Sequence, residues 1–371
     1  MSTYRLDKLF SPRSVAVVGA SPRESSVGHA VLRNLRRGDF AGAIHLVNPR
    51  YDAIEGVSAT KSYHELPVAP DVAVIAVPPA AVPSTVAAAA QMGTALGIIL
   101  TAGLGHGPDS LSDQCRAIAR TAGMRLVGPN CLGVLVPRAK LNASFAATMS
   151  PPGDLALISQ SGAIAAGLVE WAAARAIGFS AVVSIGDSLD VDFADLLDYF
   201  AVDRGTRAIL LYVESIKDAR KFMSAARAAA RAKPVLVIKS GRQALGAKAA
   251  LTHTGALAGS DAVYDAAFRR AGLLRVLDLD ELFAAAETLG HLTGISGNRL
   301  AILTNGGGIG VLAVDRLADL GGQLAGISQQ AMVRLDTALP PLWSHANPVD
   351  IAGDADDARR RARIAARRQC E

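Results

Sequence analysis

Short apolar runs alternate with longer alanine-rich stretches along this chain. SVAVVGA (14–20) ends in glycine, and HAVLRNLRRG (29–38) then has helical apolar spacing up to a glycine stop. IHLVNP (44–49), DVAVIAVPP (71–79) and LGIILTAG (96–103) follow, each ending in a Pro, Gly or Asn region. An alanine-rich helical stretch (80–92) separates the last two, and MRLVGPN (124–130) is a further strand entering a turn. Near-continuous apolar runs fit strands covered on both faces. Their alternation with helices predicts a doubly wound, Rossmann-like α/β domain over residues 1–148.

A Pro-Pro-Gly turn at 151–153 opens a second series: DLALISQSG (154–162), FSAVVSIG (179–186), TRAILLYVES (206–215) and PVLVIKSG (234–241). Helical segments such as AIAAGLVEWAAARA fill the gaps, which predicts a flavodoxin-like α/β domain over 149–294. RLAILTNGGGIGVLAVDRLADLGG (299–322) starts a third series with one clear strand, glycine loop and helix. Residues 295–371 therefore read as a partial third α/β domain ending in an Arg-rich tail.

Composition supports large cores: half of the 371 residues are hydrophobic and 19% are charged. Aromatics are only 5%, so Ala, Val, Leu and Ile must build those cores. The formal charge of +5 is concentrated in Arg359, Arg360, Arg361, Arg363, Arg367 and Arg368, and the remainder is close to neutral. No basic face is spread over a fold, which argues against a nucleic-acid partner. No signal peptide or membrane span is read. Cys115, Cys131 and Cys370 are too few and too scattered for a disulfide framework or a zinc site, and a cytoplasmic location is expected.

Several strand ends carry candidate chemistry. In VVGASPRESSVGHAVLRNL (17–35) a strand ends at Gly19, and Ala20 and Ser21 begin a small polar loop before a helix. Helix-start N–H groups can hold phosphate there; an ordinary βα turn is the alternative. The loop lacks GxGxxG and its acidic partner. The second strand ends instead in Asn48-Pro49-Arg50, an amide and a cation. AVPP (76–79, with Val77 and Pro78) and GPNCLG (128–133, with Asn130) are rigid turns or an apolar rim for a thiol-bearing arm. Cys131 has no base nearby in sequence and reads as a turn or buried cysteine.

SQSGAIAAG (159–167) places Ser159, Ser161 and Gly162 at a helix start, as a phosphate cradle or a structural cap. In ALTHTGALAG (250–259) His253 stands among small residues, with Gly255 close by and no metal-ligand partner at suitable spacing. It is a core histidine or a nucleophile. Glu214 ends the strand in LLYVESIKD, either as a surface carboxylate or as the group fixing the His253 tautomer. TNGGGIGVL (304–312) lacks GK[ST], so it is not a P-loop; it cradles phosphate or simply connects strand and helix.

Together SVAVVGAS, VNPRYDAIEG, AVPP, GPNCLGV, LISQSGA, DVDFADLLDYF, YVESI, SGR with THTGALAG, and TNGGGIGVLAVD resemble the NDP-forming acyl-CoA synthetases. This superfamily includes the succinyl-CoA synthetase α subunit and ADP-forming acetyl-CoA synthetase. The resemblance runs in family order to about Asp350. It implies that His253 is phosphorylated and that Glu214 holds it. Gly19, Ala20, Ser21, Asn48, Arg50, Val77, Pro78 and Asn130 would bind coenzyme A, and Ser159, Ser161, Gly162 and Gly255 would bind phosphate. A short-chain acyl-CoA, phosphate and ADP would become acid, CoA and ATP, with ATP or ADP and Mg held by an ATP-grasp partner subunit or domain. No ATP-grasp pattern is found here, and the Arg-rich tail matches no family pattern, so a truncated or frameshifted copy of a longer protein is expected. Asp187 stands where the family's common GNxxD pattern has Asn. The alternatives are the CoA-sensing part of a GNAT-type lysine acetyltransferase and a non-catalytic CoA-binding module. A nicotinamide dehydrogenase lacks its fingerprint.

Overall fold

The computed structural model describes residues 3–243, 245–246, 260–291, 297–339 and 341–351. The chain divides into two compact units, Met1–Leu292 and Thr293–Glu371.

The first unit holds two seven-stranded sheets. The first comprises β1 (Ser14–Val18), β2 (Ala43–Val47), β3 (Ala53–Ile54), β4 (Val57–Thr60), β5 (Val72–Ile75), β6 (Leu96–Ile99) and β7 (Arg125–Val127), in the order β3-β4-β2-β1-β5-β6-β7. Only β3 and β4 pair antiparallel. β1, β5 and β6 are almost wholly buried, which explains their unbroken apolar runs. Helix α1 (Asp7–Phe10) precedes β1, and α2 (Val27–Arg37) follows it. α2 buries Gly28, Val31, Leu32 and Leu35, a stripe at helical spacing. α3 (Val82–Gln91) and α4 (Leu111–Ala122) connect β5 to β6 and β6 to β7.

The second sheet comprises β8 (Gly133–Val136), β9 (Leu141–Ser144), β10 (Pro152–Ser159), β11 (Phe179–Ser184), β12 (Ala208–Val213), β13 (Val235–Lys239) and β14 (Leu274–Val276). Its order is β14-β13-β12-β10-β11-β8-β9. The five parallel strands follow the flavodoxin order, with α5 (Gly162–Ala173), α6 (Phe193–Val202) and α7 (Ala219–Ala232) as connections. The β8–β9 hairpin lies ahead of the expected boundary at 148, yet β8 pairs antiparallel with β11. Its buried Val134 and Leu135 cover what would otherwise be an open sheet edge. By sheet membership the two modules meet at residues 128–132.

That junction is packed and ionic. One buried cluster runs from Leu9, Val15 and Leu32 to Val134, Val183 and Phe200. The Phe10 ring stacks on Tyr199 at 4.3 Å. Buried Asn34 of α2 donates to the Ser144 and Ala146 carbonyls at 2.9 and 2.8 Å. Arg125 of β7 donates to Asp190 at 2.8 Å and to Asp195 of α6 at 3.1 Å. Asp192 and Asp195 form a capping box at the start of α6, and Lys221 pairs with both.

In the second unit β15 (Arg299–Leu300) pairs parallel with β17 (Gln323–Leu324), and β16 (Leu303–Thr304) with β18 (Val349–Asp350). A helix over Gly307–Asp319 follows β16. Thr304 Oγ1 donates to the Gly306 carbonyl and accepts from the Gly306 N–H, so this glycine loop is a tight strand–helix connection. Among the described residues no helix is long and apolar enough to cross a membrane.

Candidate active site

In an open α/β sheet, neighbouring strands whose connections leave in opposite directions create a crevice at their carboxyl ends. β1 and β5 form such a pair in the first sheet. The loop after β1 is built for close approach. Gly19 has φ +91°, and a Cβ there would lie 2.4 Å from the Ala76 carbonyl oxygen. A Cβ on Gly28 would meet the Gly19 carbonyl oxygen at 2.3 Å. Ser26 caps α2 by accepting the His29 N–H, which leaves a helix start beside the loop.

The other sequence-selected residues line the same edge. Asn48 Nδ2 donates to the Ala20 carbonyl at 2.6 Å, and its Oδ1 accepts from Arg50 N at 2.8 Å. This buried amide therefore holds the loop in place, while the Arg50 side chain is exposed. Ser21 is buried and its Oγ accepts from Arg23 N. Thr101 links the next two strand ends: its hydroxyl donates to Val77 O at 2.7 Å, and its carbonyl accepts from Asn130 N at 3.1 Å. Pro78 is exposed on the rim.

The second sheet has its crevice between β10 and β12. Ser161 caps α5 by accepting from Ile164 N. Ser159, wholly buried, accepts from Ser161 N and donates to Ser161 O. Gly162 is the first residue of α5, so the helix-start N–H groups open onto this edge. Glu214 follows β12 across the crevice. Its backbone N–H donates to Gln160 Oε1 at 2.7 Å, and Ser215 N donates to the same oxygen at 3.0 Å. Gln160 thus ties the two sides of the crevice together. Gln160→Ala is expected to cost about 1–3 kcal/mol in urea unfolding, because two N–H groups lose one acceptor. His253 and Gly255 lie outside the described residues.

A cavity of about 590 Å³ opens at the carboxyl ends of β12 and β13. Tyr212, Lys239, Ser240, Arg242, Asp278 and Asp280 contribute to its wall. Burial raises the Tyr212 hydroxyl pKa, opposed by its hydrogen bond with Ser240. Lys239 sits over the Tyr264 ring at 4.7 Å, and desolvation lowers its pKa. Sequence reasoning passed over Lys239, although a cation closing the apolar run PVLVIK was a readable signal.

The start of α5, at the β10–β12 crevice, packs against the segment that follows β7. A Cβ on Gly162 would lie 3.3 Å from Leu132 Cβ, and Leu132 N donates to Ser184 Oγ at the end of β11. Residues 185–191 run along 126–130: Asp187 N donates to Pro129 O, Leu189 N to Gly128 O, and Val191 N to Leu126 O. Asn130, at φ +57°, donates through Nδ2 to Asp187 Oδ1 at 3.3 Å. Lys217 Nζ donates to the Asp187 carbonyl at 2.5 Å. Cys131, within this seam, donates to Ile99 O, and burial pushes its thiol up to about 12. It is a buried turn cysteine, not a thiolate nucleophile.

Comparison with known proteins matches both halves of this geometry. Residues 13–137 match the family described as "CoA binding domain", and residues 152–289 match "Succinyl-CoA ligase like flavodoxin domain". The α subunit of acetate–CoA ligase [ADP-forming] I from Pyrococcus furiosus is 44% identical over 358 residues, covering 95% of this chain and 77% of that protein. The chain belongs to the NDP-forming acyl-CoA synthetase family. Acetate–CoA ligase [ADP-forming] from Methanocaldococcus jannaschii is 40% identical over 353 residues, which cover 95% of this chain and half of that relative. The structure of dinucleotide forming acetyl-coenzyme A synthetase 1 from Ca. Korarchaeum cryptofilum, in complex with phosphate and ADP, superposes with a TM-score of 0.88 at 37% identity. It covers 96% of this chain and 77% of that one. The synthetase fold expected from the sequence is therefore present: a CoA-binding module followed by a flavodoxin-like ligase module.

Proposed function

We infer that this chain is the α-type part of an ADP-forming acid–CoA ligase acting with an ATP-grasp partner subunit or domain. The observation that carries this reading is the packing of the α5 start at Gly162 against Leu132 of the segment after β7, which also holds Asn130 beside Asp187. CoA laid along Gly19, Ala20, Ser21, Arg50, Val77 and Pro78 would deliver its thioester end to Asn130 and then to the α5 helix start. There Ser161 and the N–H groups beginning at Gly162 would hold phosphate.

Phosphate oxygen attacks the acyl carbonyl and expels the CoA thiolate, giving an acyl phosphate. A ring nitrogen of His253 then attacks phosphorus, the P–O bond to the acyl group breaks, and the carboxylate leaves. The phosphohistidine P–N bond would break when ADP, which the partner would hold together with Mg, accepts the phosphoryl group, forming ATP. Each step reverses. Oriented N–H dipoles meet the phosphoryl charge without reorganising during transfer. Glu214, with its backbone fixed by Gln160, would hold His253 in one tautomer.

The test incubates the purified chain with a short-chain acyl-CoA and radioactive phosphate. An acid-labile, base-stable label is expected, and His253→Ala should abolish it. CoA binding without any label would instead describe a CoA-sensing module.

A further inference from the structure

We propose that the cavity between the end of α2 and the β8–β9 hairpin is a second ligand site, taking a small organic dianion, either a dicarboxylate or a phosphomonoester. The proposal is independent of the CoA reading, because this cavity lies at the far ends of elements that reach the two crevices. α2 starts at Val27 beside the Gly19 loop and ends at Arg37, in the cavity wall. β10 starts at Pro152, also in the wall, and ends at Ser159 in the second crevice.

The cavity measures about 300 Å³, at the small end of the range for ligand pockets. Arg37, Lys140, Asn142, Met149, Ser150 and Pro152 contribute to its wall. Arg37 comes from the first module, and the other five come from the hairpin and the segment after it. They meet because the end of α2 packs on the hairpin turn. A Cβ on Gly38 would lie 2.7 Å from the Lys140 carbonyl oxygen. Lys140 has φ +53°, and its N–H donates to Pro137 O at 3.0 Å. The opposite wall is also fixed: Ser144 Oγ donates to Asn142 Oδ1 at 2.6 Å and accepts from Ala146 N at 3.1 Å. The cavity is therefore shaped before any ligand arrives.

Its chemistry selects the ligand. Two cations contribute to the wall, and among the described residues no carboxylate does. Asp39, the nearest acid to Arg37 in sequence, lies outside it. Like charges converging on one space favour a dianion between them. Ser150 is 2% exposed, and its Oγ has no hydrogen-bond partner among the described residues. An unpaired buried hydroxyl is costly, and an anionic oxygen would accept its proton. Asn142 commits its Oδ1 to Ser144, which leaves its Nδ2 as a further donor. Met149 and Pro152 add apolar surface suited to a short carbon body, which inorganic phosphate lacks. Arg37 also meets the dipole at the C-terminus of α2, as Arg36 does. That role accounts for neither Lys140 nor Ser150.

The experiment titrates the intact chain by calorimetry with malonate, glycerol phosphate and inorganic phosphate in turn. Saturable binding of malonate or glycerol phosphate is expected, and the tighter of the two identifies the anionic group. Ser150→Ala and the double variant Arg37→Gln/Lys140→Gln should each lower that affinity at least about tenfold. Arg36→Gln removes one of the same charges from a residue outside the wall and should change it less than about twofold. Ser150→Ala should also keep the wild-type urea midpoint, since it breaks no hydrogen bond. A lower midpoint with unchanged affinity would make Ser150 a structural residue and overturn the proposal. Equal affinity in wild type and both cavity variants would place the ligand in a crevice instead, with the same consequence. Failure of both organic dianions to saturate the wild type at millimolar concentration means a water-filled groove and also overturns it. Inorganic phosphate binding as tightly as either would overturn the organic assignment. None of these outcomes bears on the CoA reading, which the His253 label tests.

Discussion

Gly19→Ala is expected to abolish measurable CoA binding in calorimetry. The added methyl would sit 2.4 Å from the Ala76 carbonyl oxygen, and the backbone is at φ +91°. Neither problem has a local remedy. The obstructing atom belongs to the backbone directly after β5, which is buried on every side. Left-handed strain costs about 1–3 kcal/mol for a non-glycine residue, and forced overpacking costs a similar amount. The expected loss in unfolding free energy is therefore about 2–5 kcal/mol. To relieve the contact, the loop must move away from the β1–β5 crevice. If two hydrogen bonds to charged phosphate are lost, at about 1.5–3 kcal/mol each, affinity falls by at least about 100-fold. Retained affinity in a folded variant would mean that CoA binds elsewhere.

Arg125→Met should destabilise the first unit by about 3 kcal/mol, because it leaves a buried carboxylate short of its partner. Asp195 is only 1% exposed, and burial raises its pKa even with Lys221 and Arg125 nearby. Lys221 remains in the variant, which keeps the expected cost at the low end of the range for broken buried pairs. Asp190 also loses its guanidinium, and the Tyr4 carbonyl loses a donor. Arg125 belongs to the first sheet and Asp195 to the second module, so protease sensitivity at the 185–191 seam should rise as well. A double-mutant cycle with Asp195→Asn checks the assignment. The double variant should recover part of the loss, and strict additivity would show that the pair is not coupled.

The parallel strands were legible because both faces of each are covered, which leaves runs such as DVAVIAV without polar interruption. The hairpins were not. β3 and β4 are short and partly exposed, so VSAT carries no apolar signature. The sequence assigned no strand to β8 or β9, and the pairing of β8 with β11 is a long-range event. The site shows the same division. Gly19, Ser161 and Glu214 stand at strand ends where the sheet places ligands, so their positions were readable. Asn48 was read as a ligand amide, yet its Nδ2 is committed to Ala20 O, which lies 28 residues away in sequence. The partnerships of Gln160 with Glu214 and of His29 with Glu55 leave no local pattern, since only the folded sheet brings them together.

The β8–β9 hairpin also shapes how such a protein can be recombined. A genetic crossover at the 151–153 turn would give one parent's hairpin to the other parent's β11. A crossover within 128–132 would split the hydrogen-bonded seam with 185–191 between unrelated partners. Either junction demands that both parents already share the mating surface. The CoA-binding and ligase modules are therefore constrained to be inherited as a pair, and new acyl specificities should arise by substitution within that pair sooner than by module exchange.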